Sequence, residues 1–341
     1  MRLAFSPITV ALAVGLLALA SPPLHAANPN YHHTKTIKVG GEGGWDYLAI
    51  DATARRLYVS HGTKVVVIDI DTEEIVDEFL DTPGVHGIAV AHGLGRCFIS
   101  NGKENTVSIV NAKTSALISK VTVGENPDAI LFEPKHAEVY AFNGGSRTAS
   151  VIDAKTGTVT TTIPLAGKPE FAAVDPAAGR VFVNIEDKNE ISVIDSAKHE
   201  VIAHWPVAPG ESPSGLAIDV KNHHLFAGCE NKLMLMIDSV SGKVLGSSPI
   251  GDGVDANAID PATQFAFASC RDGTTTVARA EAPDKLTVVQ TVATARGART
   301  MALDPVTHKI YLSTADYDPA TLGERRPKAL PDTFKVLVFA P

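Results

Sequence analysis

A short sequence pattern recurs seven times along the 341-residue chain, at intervals of 40 to 44 residues. The clearest copies read DAILFEP, EFAAVDP, DANAIDP and RTMALDP, and the seven copies begin at residues 46, 86, 128, 170, 214, 255 and 299. A chain that repeats itself at this period is built from one small structural unit used several times. The repeat therefore restricts the fold to architectures made of seven equivalent units.

Each copy of the repeat predicts four short β-strands. The first strand ends in Asp or Asp-Pro, where proline stops strand pairing. The second strand has an aromatic residue at its centre, as in residues 181–184, and the third ends in Asp, as in residues 191–195. A turn and a fourth strand follow, as in residues 154–163. Four strands in 40 to 45 residues are typical of one blade of a β-propeller.

The seventh copy lacks a fourth strand. It offers strands at residues 309–313 and 334–339, and the sequence then ends. Residues 33–39, which precede the first copy, alternate as a strand does and can supply the missing one. The sequence thus predicts an all-β, seven-bladed β-propeller over residues 31–341 whose last blade is closed by an N-terminal strand, which removes the open sheet edges.

The strand motifs resemble those of a known family. A second strand of the aromatic-Val/Ile-x-Asn kind occurs at residues 98–101, with variants at 58–60 and 182–184, and Ser-Val-Ile-Asp third strands occur at 150–153 and 192–195. These motifs resemble the YVTN family of β-propeller repeats, and nearly all of residues 31–341 looks like its exported, YncE-like branch. The resemblance implies a role in binding rather than catalysis.

Residues 1–26 have the order of a secretory signal peptide. Arg2 precedes an apolar run from Ile8 to Ala20, and small residues around Ala26 offer a cleavage site. No later apolar run is comparably long, so we expect no membrane span in the mature chain. The prediction is a periplasmic or secreted protein, and we expect it to act as a monomer.

The charge balance argues against a general affinity for polyanions. Asp and Glu number 38 and Lys and Arg 30, for a formal net charge of −8. Binding of nucleic acid would therefore need a local positive patch. An insertion in the seventh copy, residues 315–333, carries Arg325, Arg326 and Lys328 and offers such a patch with Arg271 and Arg299. It makes an anionic ligand, including single-stranded DNA, an open alternative.

Polar residues at one repeat position predict a binding site. The start of the first strand and the end of the second lie on the same face of a propeller blade, at the mouth of the central channel. Seven polar residues occupy the first of these positions: Asp46, His86, Asp128, Glu170, Ser214, Asp255 and Arg299. Asn101, Asn143 and Arg271 come from second-strand ends, and Trp45 offers an aromatic wall. We predict that these eleven residues contact a ligand.

Three functions remain open from the sequence. The first is an exported, non-catalytic binding protein that holds a small or anionic ligand at the channel mouth. The second is a metal-dependent, lactonase-like hydrolase, because carboxylates beside an imidazole suit a divalent cation and general base chemistry. The third is a scaffold whose rim loops dock a protein or single-stranded DNA. The chain has no G-x-S-x-G or H-E-x-x-H motif that would favour a serine hydrolase or zincin site.

Overall fold

The computed structural model describes Met1 and residues 29–281, 284–322 and 327–341. Apart from Met1, the predicted signal peptide lies outside the described residues. Arg325 and Arg326, which the sequence places in a basic insertion, lie outside them as well.

The described residues form 28 β-strands in seven four-stranded antiparallel sheets. Blades 1 and 2 contain β2 (Trp45–Asp51), β3 (Arg56–His61), β4 (Lys64–Asp69), β5 (Glu74–Phe79), β6 (Val85–Ala91), β7 (Arg96–Asn101), β8 (Thr106–Asn111) and β9 (Leu117–Thr122). Blades 3 and 4 contain β10 (Pro127–Glu133), β11 (Glu138–Asn143), β12 (Thr148–Asp153), β13 (Thr158–Pro164), β14 (Pro169–Asp175), β15 (Arg180–Ile185), β16 (Glu190–Asp195) and β17 (Glu200–Pro206). Blades 5 and 6 contain β18 (Pro213–Asp219), β19 (His224–Cys229), β20 (Leu233–Asp238), β21 (Val244–Pro249), β22 (Val254–Asp260), β23 (Phe265–Cys270), β24 (Thr274–Glu281) and β25 (Lys285–Ala293).

Blade 7 joins the two ends of the described chain. Its strands are β26 (Met301–Leu303), β27 (Ile310–Thr314), β28 (Lys335–Ala340) and the N-terminal β1 (His32–Lys38). Strand β1 pairs antiparallel with β28, so the predicted closing strand is confirmed. The inner strand β2 of blade 1 contacts β6 of blade 2 on one side and β26 of blade 7 on the other. The seven sheets therefore close into one ring.

One aromatic side chain per blade fills the space between neighbouring sheets. Each is in the second strand of its blade, and all are buried: Tyr58, Phe98, Tyr140, Phe182, Phe226, Phe267 and Tyr311. Full burial of a side chain of this size stabilises a fold by roughly 1.5–3 kcal/mol. The aromatic position that marks the repeat in the sequence is therefore the packing position between blades.

The polar repeat position falls one residue inside the first strand. In β10, Pro127 pairs with Asn143 and the next pair is Ile130 with Ala141, so two residues, Asp128 and Ala129, oppose Phe142 alone. The same kind of irregularity occurs near the start of β2, β6, β14, β18 and β22. A β-bulge of this kind bends the strand and redirects a side chain. In the first six blades it occurs at the residue that faces the channel mouth.

Helical structure in the described ranges is confined to short 3₁₀ turns at His92–Leu94, Glu186–Lys188 and Pro319–Thr321. Within those ranges, no helix is long and apolar enough to cross a membrane.

Candidate functional site

A cavity of about 1050 Å³ opens at the mouth of the central channel. Its lining includes Trp45, Asp46, His86, Arg271, Arg299 and Tyr317. The first five are residues that the sequence predicts at this face. The structure therefore brings opposite charges and two aromatic rings together around one concave space.

The carboxylates of blades 1 and 3 flank the imidazole of blade 2. His86 Nδ1 lies 2.7 Å from Asp46 Oδ2 and 3.6 Å from Asp128 Oδ1. All three side chains are more than two-thirds buried. The opposite edge of the imidazole lies against Gly102, where an added Cβ would come within 2.8 Å of His86 Nε2. The glycine therefore leaves the space that the ring occupies.

A second group of charges comes from blades 5, 6 and 7. Arg299 Nε donates to Asp255 Oδ2, and its Nη2 donates to the Trp45 carbonyl oxygen at 3.2 Å. Ser214 Oγ donates to the other oxygen of Asp255 at 3.2 Å. Arg299 Nη2 also lies 3.8 Å from Asp46 Oδ1, so the two groups adjoin. Arg299 itself precedes β26, whose first residue is Met301, and is not at the start of that strand as the sequence suggested.

Glu170 of blade 4 is held by a lysine that sequence analysis missed. Lys168 Nζ donates to Glu170 Oε1 and, at 2.6 Å, to Glu186 Oε2. Lys168 and Glu170 are two residues apart, on either side of Pro169. Residues at this spacing on extended backbone point to the same face. The Lys-Pro-Glu sequence thus carried a signal for this pair.

The mouth carboxylates and imidazole have altered proton affinities. Burial opposes protonation of His86, but the hydrogen bond to Asp46 and the charges of Asp128 and Glu170 outweigh it and raise the His86 pKa to about 9. Burial, followed by the Asp46 charge, raises the pKa of Asp128. Burial and the Asp128 charge likewise raise the pKa of Glu170, against the lowering effect of Lys168. Perturbed groups gathered in a cleft are characteristic of functional sites.

Side-chain hydrogen bonds fix the bulged backbone of one blade to the next. Ser100 Oγ donates to the Asp128 carbonyl oxygen at 2.6 Å, and Asn184 Nδ2 donates to the Ser214 carbonyl oxygen at 2.8 Å. Thr300 Oγ1 donates to the Asp46 carbonyl oxygen at 2.6 Å and joins blade 7 to blade 1. The bulges therefore do not leave these carbonyl groups unsatisfied, and the mouth side chains start from a restrained backbone.

Asn101 and Asn143 do not join the other predicted residues. Both are fully buried. Asn101 Nδ2 donates to Thr106 Oγ1 and Ser108 Oγ, and Asn143 makes the same bonds to Thr148 and Ser150. They join the second strand of a blade to the third because the last residue of the second strand faces the neighbouring strand. The spacing Asn-x4-Thr-x-Ser, present in both copies, was a sequence signal of this arrangement.

Described residues of the blade 7 insertion line part of the mouth cavity. Tyr317 pairs with Ala329 in an isolated β-bridge, and its ring lies 6.2 Å from that of Trp45 between centroids. Trp45 also packs on Phe334, at 5.3 Å. Trp45 therefore lines the cavity and is packed against Tyr317 and Phe334.

The channel is divided at its centre. Tyr47 of blade 1 and Phe171 of blade 4 reach across it, with ring centroids 5.0 Å apart. Beyond them lies a separate cavity of about 440 Å³ whose lining is mainly aliphatic. The described residues that line this second cavity include no charged side chain, in contrast to those at the mouth.

Two groups in the described residues have the donor types and spacing to hold a metal ion. One comprises Asp46, His86 and Asp128, whose ligand atoms lie within 4.8 Å of one another. The other comprises Glu133, His136 and Glu138, at the opposite end of blade 3.

Comparison with known proteins confirms the predicted family. The family model described as a YncE-like beta-propeller matches residues 86–245, which span blades 2 to 5. No curated protein sequence matches the chain. Among solved structures, the Kuenenia stuttgartiensis hydrazine synthase is similar, with a TM-score of 0.71 and 16% identity, covering 82% of this chain and 94% of that chain. At this identity the likeness shows the fold alone.

Proposed function

Because this chain is a YncE-like β-propeller, we propose that it is an exported, non-catalytic binding protein that holds a small polar ligand at its channel mouth. The observation that carries the proposal is the charged cavity of about 1050 Å³. Concave sites with a few convergent polar groups are the usual binding sites of small molecules. Export rests on the signal-like sequence of residues 1–26.

The charged and aromatic residues that line the cavity favour a ligand that has both polar groups and an aromatic ring. Arg271 is exposed and lines the cavity together with Arg299 and Asp46. Trp45 and Tyr317 add an aromatic wall. A ligand here can therefore stack on aromatic surface while its polar groups contact charges that ion pairs already hold in position.

Thermal melting in the presence of a ligand library tests the proposal. A compound that binds only the folded state raises its melting temperature. We expect at least one small polar compound to stabilise the wild type and to lose its effect in Arg271→Gln and Glu170→Ala. Lys198→Gln removes an exposed charge from the opposite face and serves as the control. Equal stabilisation of all four proteins would place binding elsewhere.

The second candidate is a metal-dependent, lactonase-like hydrolase. The group formed by Asp46, His86 and Asp128 beside an open cavity favours it, because these side chains have the donor types and spacing to hold the metal that such a hydrolase needs. A lactone hydrolysis screen of the metal-loaded protein tests it. Turnover that disappears in His86→Gln would make the protein an enzyme. Stabilisation by a lactone without hydrolysis would support binding alone.

A further inference from the structure

One of the carboxylates at the polar repeat position has a buried oxygen that accepts no hydrogen bond from the described residues. Four carboxylates from blades 1, 3, 4 and 6 face the mouth: Asp46, Asp128, Glu170 and Asp255. Asp46 contacts His86, Glu170 accepts from Lys168, and Asp255 accepts from Arg299. Asp128 is left, and it accepts no side-chain or backbone hydrogen bond at Oδ1 from any described residue.

The Asp128 oxygen that accepts no hydrogen bond is also shielded from water. Asp128 Oδ1 exposes less than 1 Å² and is directed at His86 Nδ1, 3.6 Å away. A buried carboxylate oxygen without a hydrogen-bond donor is costly, and proteins ordinarily compensate such a group with a cation or a proton. The position of Asp128 Oδ1 beside His86 Nδ1 therefore suits a cation held between the two side chains.

The spacing of the donor atoms fits a metal ion. Nitrogen and oxygen ligands at about 2.0–2.2 Å from a first-row cation lie about 3–3.5 Å from one another. His86 Nδ1 lies 2.7 Å from Asp46 Oδ2 and 3.6 Å from Asp128 Oδ1, on either side of this spacing. Small movements of two side chains would make the three atoms equidistant from one centre, which would replace the Nδ1 proton.

We propose that Asp46, His86 and Asp128 form a binding site for a divalent first-row cation such as Zn²⁺ or Mn²⁺. The imidazole nitrogen favours these ions over Ca²⁺ and Mg²⁺, which prefer oxygen ligands. Three protein ligands leave positions open toward the cavity. The inference rests on the proposed function, in which the mouth is a ligand site, and adds that a bound cation takes part in holding the ligand.

Titration calorimetry of chelator-treated protein with Zn²⁺ and with Mn²⁺ tests the site. We expect one ion per chain, much weaker binding of Mg²⁺, and a loss of affinity of about tenfold or more in Asp128→Asn and His86→Gln. His136→Gln alters the second candidate group, on the opposite face, and is the matched control. Equal affinity in wild type and Asp128→Asn, or loss of affinity only in His136→Gln, would overturn the proposal.

The melting temperature of the metal-free variants separates a metal ligand from a structural ion pair. Asp128→Asn keeps the size of the side chain and replaces a carboxylate whose buried Oδ1 accepts no hydrogen bond, so the metal-free variant should be about as stable as the metal-free wild type. A substantial loss of stability would mean that Asp128 serves to hold His86, and would contradict a metal site.

The ligand screen, repeated on chelated and metal-loaded protein, separates this inference from the proposed function. An organic ligand could stabilise the protein equally with and without chelator while no metal binds. That result would overturn the metal site and leave the binding function standing. If the protein bound the metal but no organic compound stabilised it, the metal site would stand and the proposed binding of an organic ligand would be overturned. A ligand response that requires the metal would support both.

Discussion

Arg55 and Asp304 join the first blade to the last through two parallel hydrogen bonds. Arg55 Nη1 donates to Asp304 Oδ1 at 2.9 Å and Nη2 donates to Oδ2 at 2.8 Å. The Asp304 side chain is completely buried. The pair lies at the end of the inner strands, away from the mouth, and ties the two blades where the chain closes on itself. Asp51 with His92 and Asp260 with His308 make similar contacts between other neighbouring blades, both at 2.7 Å.

Replacing Asp304 should weaken the closure of the ring. Asp304→Asn leaves the Arg55 guanidinium beside a neutral group, and we expect the free energy of unfolding to fall by about 3 kcal/mol. Asp71 also accepts from Arg55 but is 59% exposed, so Asp71→Asn should cost less than about 1 kcal/mol. Urea unfolding of the three proteins measures both effects. Similar losses in the two variants would show that burial of Asp304 does not matter.

The N-terminal strand should contribute to stability through one buried side chain. Ile37 of β1 is 5% exposed and packs in the cluster that contains Val336 and Val338 of β28. Ile37→Ala should cost about 3 kcal/mol because it leaves a cavity between β1 and the rest of blade 7. The exposed neighbour Lys38 provides the control, since Lys38→Ala should change the unfolding free energy by less than about 0.5 kcal/mol. If both variants unfold at the wild-type urea concentration, β1 does not stabilise the ring.

The ring could be predicted because the repeat is visible in the sequence and the same packing position recurs in each blade. The aromatic centre of the second strand recurs in every blade, and an Asp ends the first strand in five of the seven, so strand order and closure by residues 33–39 followed from the pattern. The mouth positions followed from strand direction alone.

The details of the mouth depend on interactions that the repeat does not encode. In the first six blades the polar residue lies one place inside its strand, at a β-bulge, whereas Arg299 of blade 7 precedes its strand. Lys168 pairs with Glu170 through a contact specific to blade 4. Asn101 looked equivalent to Arg271 in the repeat, yet the first faces an adjacent strand and the second faces solvent. These differences arise from local side-chain partners.

Acid should destabilise the fold through the turns that follow third strands. Asp69, Asp153 and Asp195 each accept two backbone N–H groups of the following turn, and these hydrogen bonds lower the pKa of each carboxyl below its ordinary value of 3.8. A lowered pKa means that the stabilisation is present above pH 3.8 and is lost as the pH falls through the folded-state value.

A triple variant tests the origin of this acid sensitivity. Blade 2 has Asn111 at the same position, and its Oδ1 accepts the same two backbone bonds. Asn at positions 69, 153 and 195 should therefore keep the turns while removing the titration. We expect urea midpoints measured from pH 5 to pH 2.5 to fall less steeply in the triple variant than in the wild type. Parallel curves would assign the acid sensitivity to other carboxylates.

The fit of Tyr317 should depend on Gly297. Gly297 has φ +79°, and a Cβ there would overlap the Tyr317 hydroxyl. Gly297→Ala should cost about 1–2 kcal/mol from the left-handed backbone alone and should displace Tyr317 from Trp45. Trp45 fluorescence in a Trp205→Phe background reports the displacement. Gly93→Ala adds a Cβ to open space and serves as the control. Unchanged emission in Gly297→Ala would show that Tyr317 is positioned independently.

The contact between Tyr47 and Phe171 lies between the charged cavity at the mouth and the aliphatic cavity beyond it. Both rings line the aliphatic cavity, so a molecule in the charged cavity meets less obstruction when it leaves by the charged face than when it passes between the cavities. Residence time then depends on the residues that line the entrance, which include Tyr317, Pro327 and Ala329 of the blade 7 insertion. Passage of a molecule between these two cavities would require the Tyr47 and Phe171 rings to separate.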